Sequence, residues 1–382
     1  MPPVDPARPP ARILVRGVNW LGDAVMSTPA MMRLRERFPG THLALLTPEK
    51  LEGLWRQHPA VDEIIPFRAA EGVLSISGRL RRGHFDAALI LPNSPRSALE
   101  AWLAGIPRRV GYARPWRNWF LTDPIPARAG HTPMHKRSAT EVRRLADGGK
   151  SASTLLLPDA HHVYEYLHLA AALGAKPDPV PPKLVVTPQE IESAKSRFGL
   201  SGIAAPVFGL NPGAEFGPAK RWPADRFVAA AEEIHRRTRC VWLVLGGKGD
   251  GAVAARIESA LHSTAPGVRN LAGRTSLREL CAILKGCRVL LTNDSGPMHA
   301  AAALGTAVVA PFGSTDPRLT GPGLPGDPAH RLLRSDAPCS PCFLRECPID
   351  FRCMNGIAVD RVVEAVLAAA AAGPDPASPG NT

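Results

Sequence analysis

The sequence predicts an α/β chain built as two doubly wound domains, on three observations. Short apolar runs alternate with amphipathic stretches in both halves, the βα rhythm of parallel sheets. A proline-rich run, PDPVPPK at 177–183, separates the halves. Three polar, glycine-bearing loops each follow an apolar run and precede a helical one, where sheets of this kind bind ligands. Two Rossmann-like domains facing across a cleft are therefore expected. The boundaries read as a disordered start over 1–11, a first domain over 12–180, a second over 181–357, and a terminal helix with a disordered tail over 358–382.

The elements follow in order. Arg12–Arg16 (RILVR) is a buried strand, GVNWLGDAVMSTPA at 17–30 a polar loop, and Met31, Leu34 and Phe38 mark one face of a helix. Pro29 is costly inside a helix, so the regular helix should begin or bend at Thr28–Pro29, leaving Asp23 on a long loop. His42–Thr47, Glu63–Pro66 and Ala87–Leu91 are further strands, and Ser97–Ala104 is a helix stopped by Gly105. Residues 123–160, rich in Pro, Gly, Arg and Ser, read as a mobile surface excursion, and 161–175 as a helix. The second half repeats the rhythm: strands at 207–211, 241–246, 288–291 and 306–311, and helices at 224–237, 251–262, 276–286, 298–304 and 358–372.

Net charge is +12, from 46 Lys+Arg against 34 Asp+Glu, which points to an anionic partner: a nucleotide, a nucleic acid or an acidic membrane surface. No apolar run is long enough to span a bilayer, and the start, MPPVDPARPPAR, lacks the apolar core of a signal peptide. A cytoplasmic protein is expected, with any membrane contact peripheral. Cys240, Cys281 and Cys287 lie in apolar surroundings and read as core residues.

TNDSGPMHAAAALGTAVVAPFG, 292–313, is a strand end, a polar turn, a short helix and a second strand. Asp294, Ser295 and Gly296 stand where the helix begins, and free N–H groups with the helix dipole favour an anion there. His299 could donate to a phosphate or sugar, or be a satisfied structural histidine. NPGAEFGPAKRWP, 211–223, opens on Asn211 and Gly213 and confines Lys220–Arg221 between Pro218 and Trp222–Pro223. Two cations held there suit a diphosphate; a solvated surface pair is the plain alternative. Asp250 in GKGDG could hold ribose hydroxyls or close a turn. Asp23 at its strand-to-helix junction could take a proton from an attacking hydroxyl or simply cap a helix. No G-x-G-x-x-G is present, so the dinucleotide fingerprint is absent.

Together, GVNWLGDAVMSTPA, NPGAEFGPAKRWP and TNDSGPMHAAAALG resemble the signature segments of the lipopolysaccharide heptosyltransferases of glycosyltransferase family 9, in particular the heptosyltransferase II branch, over roughly residues 12–320. The resemblance implies a GT-B fold, ADP-L-glycero-D-manno-heptose as donor, a heptosylated Kdo–lipid A acceptor, and a site peripheral to the cytoplasmic face of the inner membrane. By motif position it makes Asp23 the catalytic base, Lys220 the diphosphate lysine and Asp294 the donor-sugar ligand. Ser295, Gly296 and His299 become nucleotide-pyrophosphate contacts. The implied reaction is one inverting displacement needing no cofactor, and the lack of any D-x-D pair fits metal-independent transfer. Arg81, Arg82, Arg96, Arg108 and Arg109 would meet the acceptor's phosphates and carboxylates. The excursion at 126–160 is longer and more basic than the family pattern.

PCSPCFLRECPIDFRCM places Cys339, Cys342, Cys347 and Cys353 at C-x2-C-x4-C-x5-C. A structural zinc or iron–sulfur site would suit four such thiols, as would plain reduced cysteines. A site there should clamp its connection without touching the donor loops. The spacing also feeds a rival class, a basic nucleic-acid-binding protein with a four-cysteine zinc site, but no aromatic stacking stripe supports it. The other rival, a nucleotide-sugar-binding protein without transferase activity, would leave Asp23 idle. A transferase with no nucleic-acid partner is the reading that uses all three loops.

Overall fold

The computed structural model describes residues 9–148 and 156–372. The expected disorder of residues 1–8 and 373–382, and part of the excursion at 149–155, fall outside the described residues. These form two compact units. The first comprises the described residues up to His131 together with Asp159–Val185; the second comprises those of Thr132–Pro158 and all from Val186 on.

In the first unit, β1 (Arg12–Arg16) leads through α1 (Leu21–Met26) and α2 (Thr28–Arg37) to β2 (His42–Pro48). Then come α3 (Glu52–Trp55), β3 (Glu63–Phe67), α4 (Val73–Arg81), β4 (Ala87–Ile90), α5 (Pro95–Leu103), β5 (Arg108–Tyr112) and β6 (Asp123–Ile125). α6 (Ala139–Ala146) belongs to the second unit, whereas α7 (Val163–Ala171) returns to the first and packs on α2. The six strands are parallel in the order β3-β2-β1-β4-β5-β6. β4 is buried along its whole length, as parallel strands covered on both faces must be. Leu14, Ala44, Ile76, Leu80, Ile90, Ala98 and Ile106 form the core between sheet and helices.

The second unit continues with α8 (Pro188–Arg197), β7 (Val207–Asn211), α9 (Ala224–Thr238), β8 (Val241–Val244), α10 (Gly251–Leu261), β9 (Arg269–Asn270) and α11 (Leu277–Gly286). β10 (Val289–Thr292), α12 (Gly296–Ala303), β11 (Ala307–Pro311), α13 (Pro317–Thr320), β12 (His330–Leu333), α14 (Arg352–Asn355) and α15 (Val359–Ala372) complete it. Its order, β12-β11-β10-β7-β8-β9, repeats that of the first sheet: each chain runs outward for three strands, then crosses back beside its own first strand. The reversal opens a switch point between β1 and β4 and another between β7 and β10, where ligands of such sheets sit. Capping boxes at Thr187–Glu190 and Ser276–Glu279 start α8 and α11. α15 lies against α9 and β11, sharing a core with Phe208, Trp222, Phe227 and Trp242.

Three expectations need correction. Asp23 is not on a long loop: it lies in the first turn of α1, and Pro29 sits in the first turn of the separate α2, where no N–H is missed. The excursion contains α6, started by the Ser138 hydroxyl accepting from the Glu141 N–H. Val142 and Leu145 of α6 are buried with Cys339 and Cys342, so this stretch packs with the second unit rather than the first. The chain passes between units after Val185, a few residues beyond the proline run.

Candidate functional site

The switch point of the second sheet is closed by side chains from facing strand ends. Asn211 and Thr292 are register partners in β7 and β10. The buried Asn211 amide donates to the Thr292 hydroxyl at 3.0 Å, the Ser295 hydroxyl at 3.2 Å and the Gly213 carbonyl at 3.3 Å. Asn293 reaches the other way: its amide donates to the Pro212 carbonyl at 2.7 Å, and its oxygen accepts the Trp222 N–H at 2.9 Å. Two loops far apart in sequence are thereby fixed as one frame, with Ser295 as the residue before α12.

Lys220 and Asp294 meet on that frame. Lys220 Nζ lies 2.5 Å from Asp294 Oδ2, and the Thr315 hydroxyl donates to the same oxygen at 2.6 Å. Asp294 is only 4% exposed, so its charge is held by both partners. One of the three donors of the ammonium goes to Asp294, and no second acceptor for it is placed among the described residues. Lys220 ends a 3-10 turn, Pro218–Lys220, and its Nζ stands 4.9 Å from the centre of the Phe216 ring. Asp250 turns back on its own loop, accepting from the Gly247 N–H at 2.9 Å. Its carboxylate also crowds Gly213, where a Cβ would come within 2.4 Å of it. His299 is buried in the first half of α12.

The cysteine stretch meets this site, against expectation. The Arg345 carbonyl accepts the Ala219 N–H at 3.0 Å, and the Arg345 guanidinium donates to the Phe216 carbonyl at 2.8 Å. Gly217 has φ of +153°, and a Cβ there would lie 2.5 Å from the Arg345 oxygen. The N–H groups of Cys342 and Phe343 donate to the Ser314 carbonyl, beside Thr315. Residues 342–345 thus brace both arms of the Lys220–Asp294 pair. Thr315, Phe216 and Arg345 were not legible as site residues, because two of these contacts run through main-chain carbonyls.

The four-cysteine metal site is not assembled: among the described residues no group of three His, Cys, Asp or Glu side chains is placed to hold a metal ion. Cys339 and Cys342 are buried with Val142, Leu145, Leu344 and Ile349 instead. Burial foremost, and then the neighbouring cysteines of the stretch, push both thiols above their usual value and Cys353 up to about 12.

In the first unit, Asp23 stands beyond the carboxyl end of β1, partly exposed. The loop before it is held by a buried ion pair, Arg16 Nε to Glu100 Oε2 at 3.0 Å. Arg16 also donates to the Gly17 carbonyl and, at 3.2 Å, to Asn19 Oδ1. Trp20, half exposed beneath the Lys50 ammonium, immediately precedes α1. Tyr166 of α7 is buried close to Asp23: burial foremost, then the charges of Asp23, Glu165 and Tyr112, keep its phenol protonated well above the usual range. It shares a 3.1 Å hydrogen bond with His162.

Four of the five acceptor-side arginines do not join Asp23. Arg81 and Arg82 end α4, which leads into β4, and Arg108 and Arg109 begin β5; all four lie at the amino edge of the sheet. Arg108 is paired with Asp123 at 3.3 Å, and Arg109 donates to the Phe120 carbonyl. Arg96 alone of the five is on the carboxyl edge, in the first turn of α5, 3.2 Å from Glu100.

Residues 150–351 match Glycosyltransferase family 9 (heptosyltransferase). Lipopolysaccharide heptosyltransferase 2 of Salmonella typhimurium is 34% identical over 325 residues, 81% of this chain and 85% of that one. The Escherichia coli K12 protein of the same name gives the same identity and coverage. The solved structure of the E. coli ADP-heptose LPS heptosyltransferase II superposes with a TM-score of 0.75 at 29% identity, covering 94% of this chain and 98% of that one. The paired six-stranded sheets are those of the GT-B glycosyltransferases, and the chain belongs to glycosyltransferase family 9, the heptosyltransferases.

Proposed function

We propose that the enzyme transfers heptose from ADP-L-glycero-D-manno-heptose to the heptosylated Kdo–lipid A core of lipopolysaccharide, with inversion, at the cytoplasmic face of the inner membrane. In this reading Asp23 removes the proton from the acceptor hydroxyl as that oxygen attacks the anomeric carbon. The anomeric C–O bond to the diphosphate breaks as the new glycosidic bond forms, and ADP leaves. Lys220, with two donors uncommitted, neutralises the charge growing on the leaving diphosphate, helped by the N–H groups at the start of α12. Asp294 orients Lys220 and faces the donor sugar; Asn211, Gly213, Ser295, Gly296 and His299 line the nucleotide diphosphate, and Asp250 the ribose. Arg96, on the same sheet edge as Asp23, is the arginine best placed for an anionic acceptor group.

The observation that carries this reading is the Lys220–Asp294 pair at the β7/β10 switch point, on segments resembling those of the family. The likeness to proteins named lipopolysaccharide heptosyltransferase 2 supports heptose transfer to lipopolysaccharide. The test is a matrix of purified protein with ADP-heptose, UDP-glucose or GDP-mannose against Kdo2–lipid A with and without a first heptose. Mass spectrometry should find one added heptose only with ADP-heptose and the heptosylated acceptor. Transfer to the unheptosylated acceptor, or from another nucleotide sugar at equal rate, would overturn the assignment.

A further inference from the structure

The fold leaves two tryptophans in water that it does not use. Trp55, Trp222 and Trp242 are 1–2% exposed, whereas Trp116 is 82% and Trp119 84% exposed. They stand on the β5–β6 connection, which is firmly held. Arg117 between them is fully buried, donating to the Tyr112 carbonyl at 3.1 Å and Asn93 Oδ1 at 3.3 Å. Its guanidinium occupies the space over Gly111, where a Cβ would meet Nη2 at 2.8 Å. The Arg114 N–H donates to Asn118 Oδ1 at 2.8 Å, and Asn118–Phe120 forms a 3-10 turn. Trp116 also has φ of +62°, a left-handed backbone that strains a bulky residue. A strained conformation that buries nothing marks a residue kept for something other than folding.

Phe120, next to Trp119 in the 3-10 turn, packs on Trp102 of α5, ring centres 5.7 Å apart, and Trp102 is 46% exposed. Residues 101–122 hold three of the chain's seven tryptophans, four arginines, and no Asp or Glu. Arg109 donates to the Phe120 carbonyl at 2.7 Å, and the exposed Arg81 to the Leu103 carbonyl at 2.6 Å, so cations border these aromatics at the Trp102 end as well. Indoles partition to the water–lipid boundary, and guanidinium groups beside them are drawn to anionic headgroups.

We propose that the face formed by Trp102, Trp116 and Trp119 with Arg81, Arg109 and Arg114 docks this enzyme on an anionic lipid surface. The proposal rests on the reading above only in that a lipid-borne acceptor gives the docking its use. Lipid contact through this face needs no transmembrane segment, and no described helix is long and apolar enough to be one.

The test is sedimentation of the full chain with vesicles of mixed phosphatidylethanolamine and phosphatidylglycerol, against phosphatidylcholine alone. The protein should bind the anionic vesicles, and brominated lipid should quench its tryptophan emission. Trp116→Ala with Trp119→Ala should lower the partition coefficient by about tenfold or more and abolish most of the quenching, at unchanged melting temperature. Undiminished binding by the double variant, or no quenching of the parent, would overturn the proposal. Turnover with a lipid-free core oligosaccharide should be unchanged in the double variant; a fall there would make the tryptophans an acceptor-sugar subsite and likewise overturn it. If no heptose transfer is found while vesicle binding follows the tryptophans, the function fails and the docking stands.

Discussion

Lys220 Nζ and Asp294 Oδ2 lie 2.5 Å apart, joining the loop after β7 to the loop after β10. The pair does two things. It neutralises a carboxylate that is only 4% exposed, and it aims the remaining donors of the lysine. Lys220→Ala should therefore weaken ADP binding by about tenfold or more, the worth of a hydrogen bond to a charged group. Lys220→Arg should restore only part of it, because a planar fork cannot replace a compact ammonium that, in the proposed reading, serves Asp294 and the diphosphate together. Calorimetric titration with ADP decides: unchanged affinity in Lys220→Ala would remove the lysine from the diphosphate site.

Gly217 is expected to be as sensitive as the lysine it precedes. An alanine there would put its Cβ 2.5 Å from the Arg345 carbonyl oxygen that accepts the Ala219 N–H. Either the turn carrying Lys220 or the 342–345 segment must move, and displacement by about 1 Å can cost on the order of a hundredfold in rate. Gly217→Ala should lose ADP affinity and turnover while circular dichroism shows the fold intact. Wild-type kinetics in this variant would mean that Arg345 does not set the position of Lys220.

Much of this site was legible in the sequence, and what was not has physical causes. The loops at 17–29, 211–223 and 292–313 stand out because glycine and short polar residues interrupt apolar runs, and that pattern follows directly from parallel strands feeding helices. The bonding of Asn211 to Ser295 was hidden, since it depends on β10 lying beside β7, a matter of strand order. β5 was missed because it begins Arg108–Arg109 and looks polar; both guanidinium groups are satisfied by carbonyls or Asp123, leaving Val110–Tyr112 for the core. The same strand order sent Arg81, Arg82, Arg108 and Arg109 to the edge opposite Asp23, which no count of basic residues could reveal. The Ser138–Glu141 start of α6 was readable but lay in a stretch whose prolines and arginines suggested a loop.

His58 should make the first unit acid-sensitive. It is 2% exposed, edge-on to Trp55 with ring centres 5.2 Å apart, and burial lowers its pKa from 6.5 to about 4. The unfolded chain takes up the proton as pH falls through about 6.5, the folded chain only near 4. The contribution of the neutral ring is thus full above about 6.5 and is lost between there and about 4. The loss is on the order of 3 kcal/mol. Urea unfolding at a series of pH values should show this slope, and His58→Gln should flatten it. An identical slope in the variant would assign the acid sensitivity to other groups.

In the proposed reaction Asp23, in the first turn of α1, takes the acceptor proton, and Lys220 and Asp294 hold the donor. The deciding variant is Asp23→Asn, with single-turnover transfer from ADP-heptose and calorimetric ADP binding measured on one preparation. The amide keeps the shape and cannot take the proton, so transfer should fall by a factor of roughly 10² or more, with ADP affinity within about twofold of the parent. Transfer within a few-fold of the parent at the same ADP affinity would remove Asp23 from the reaction.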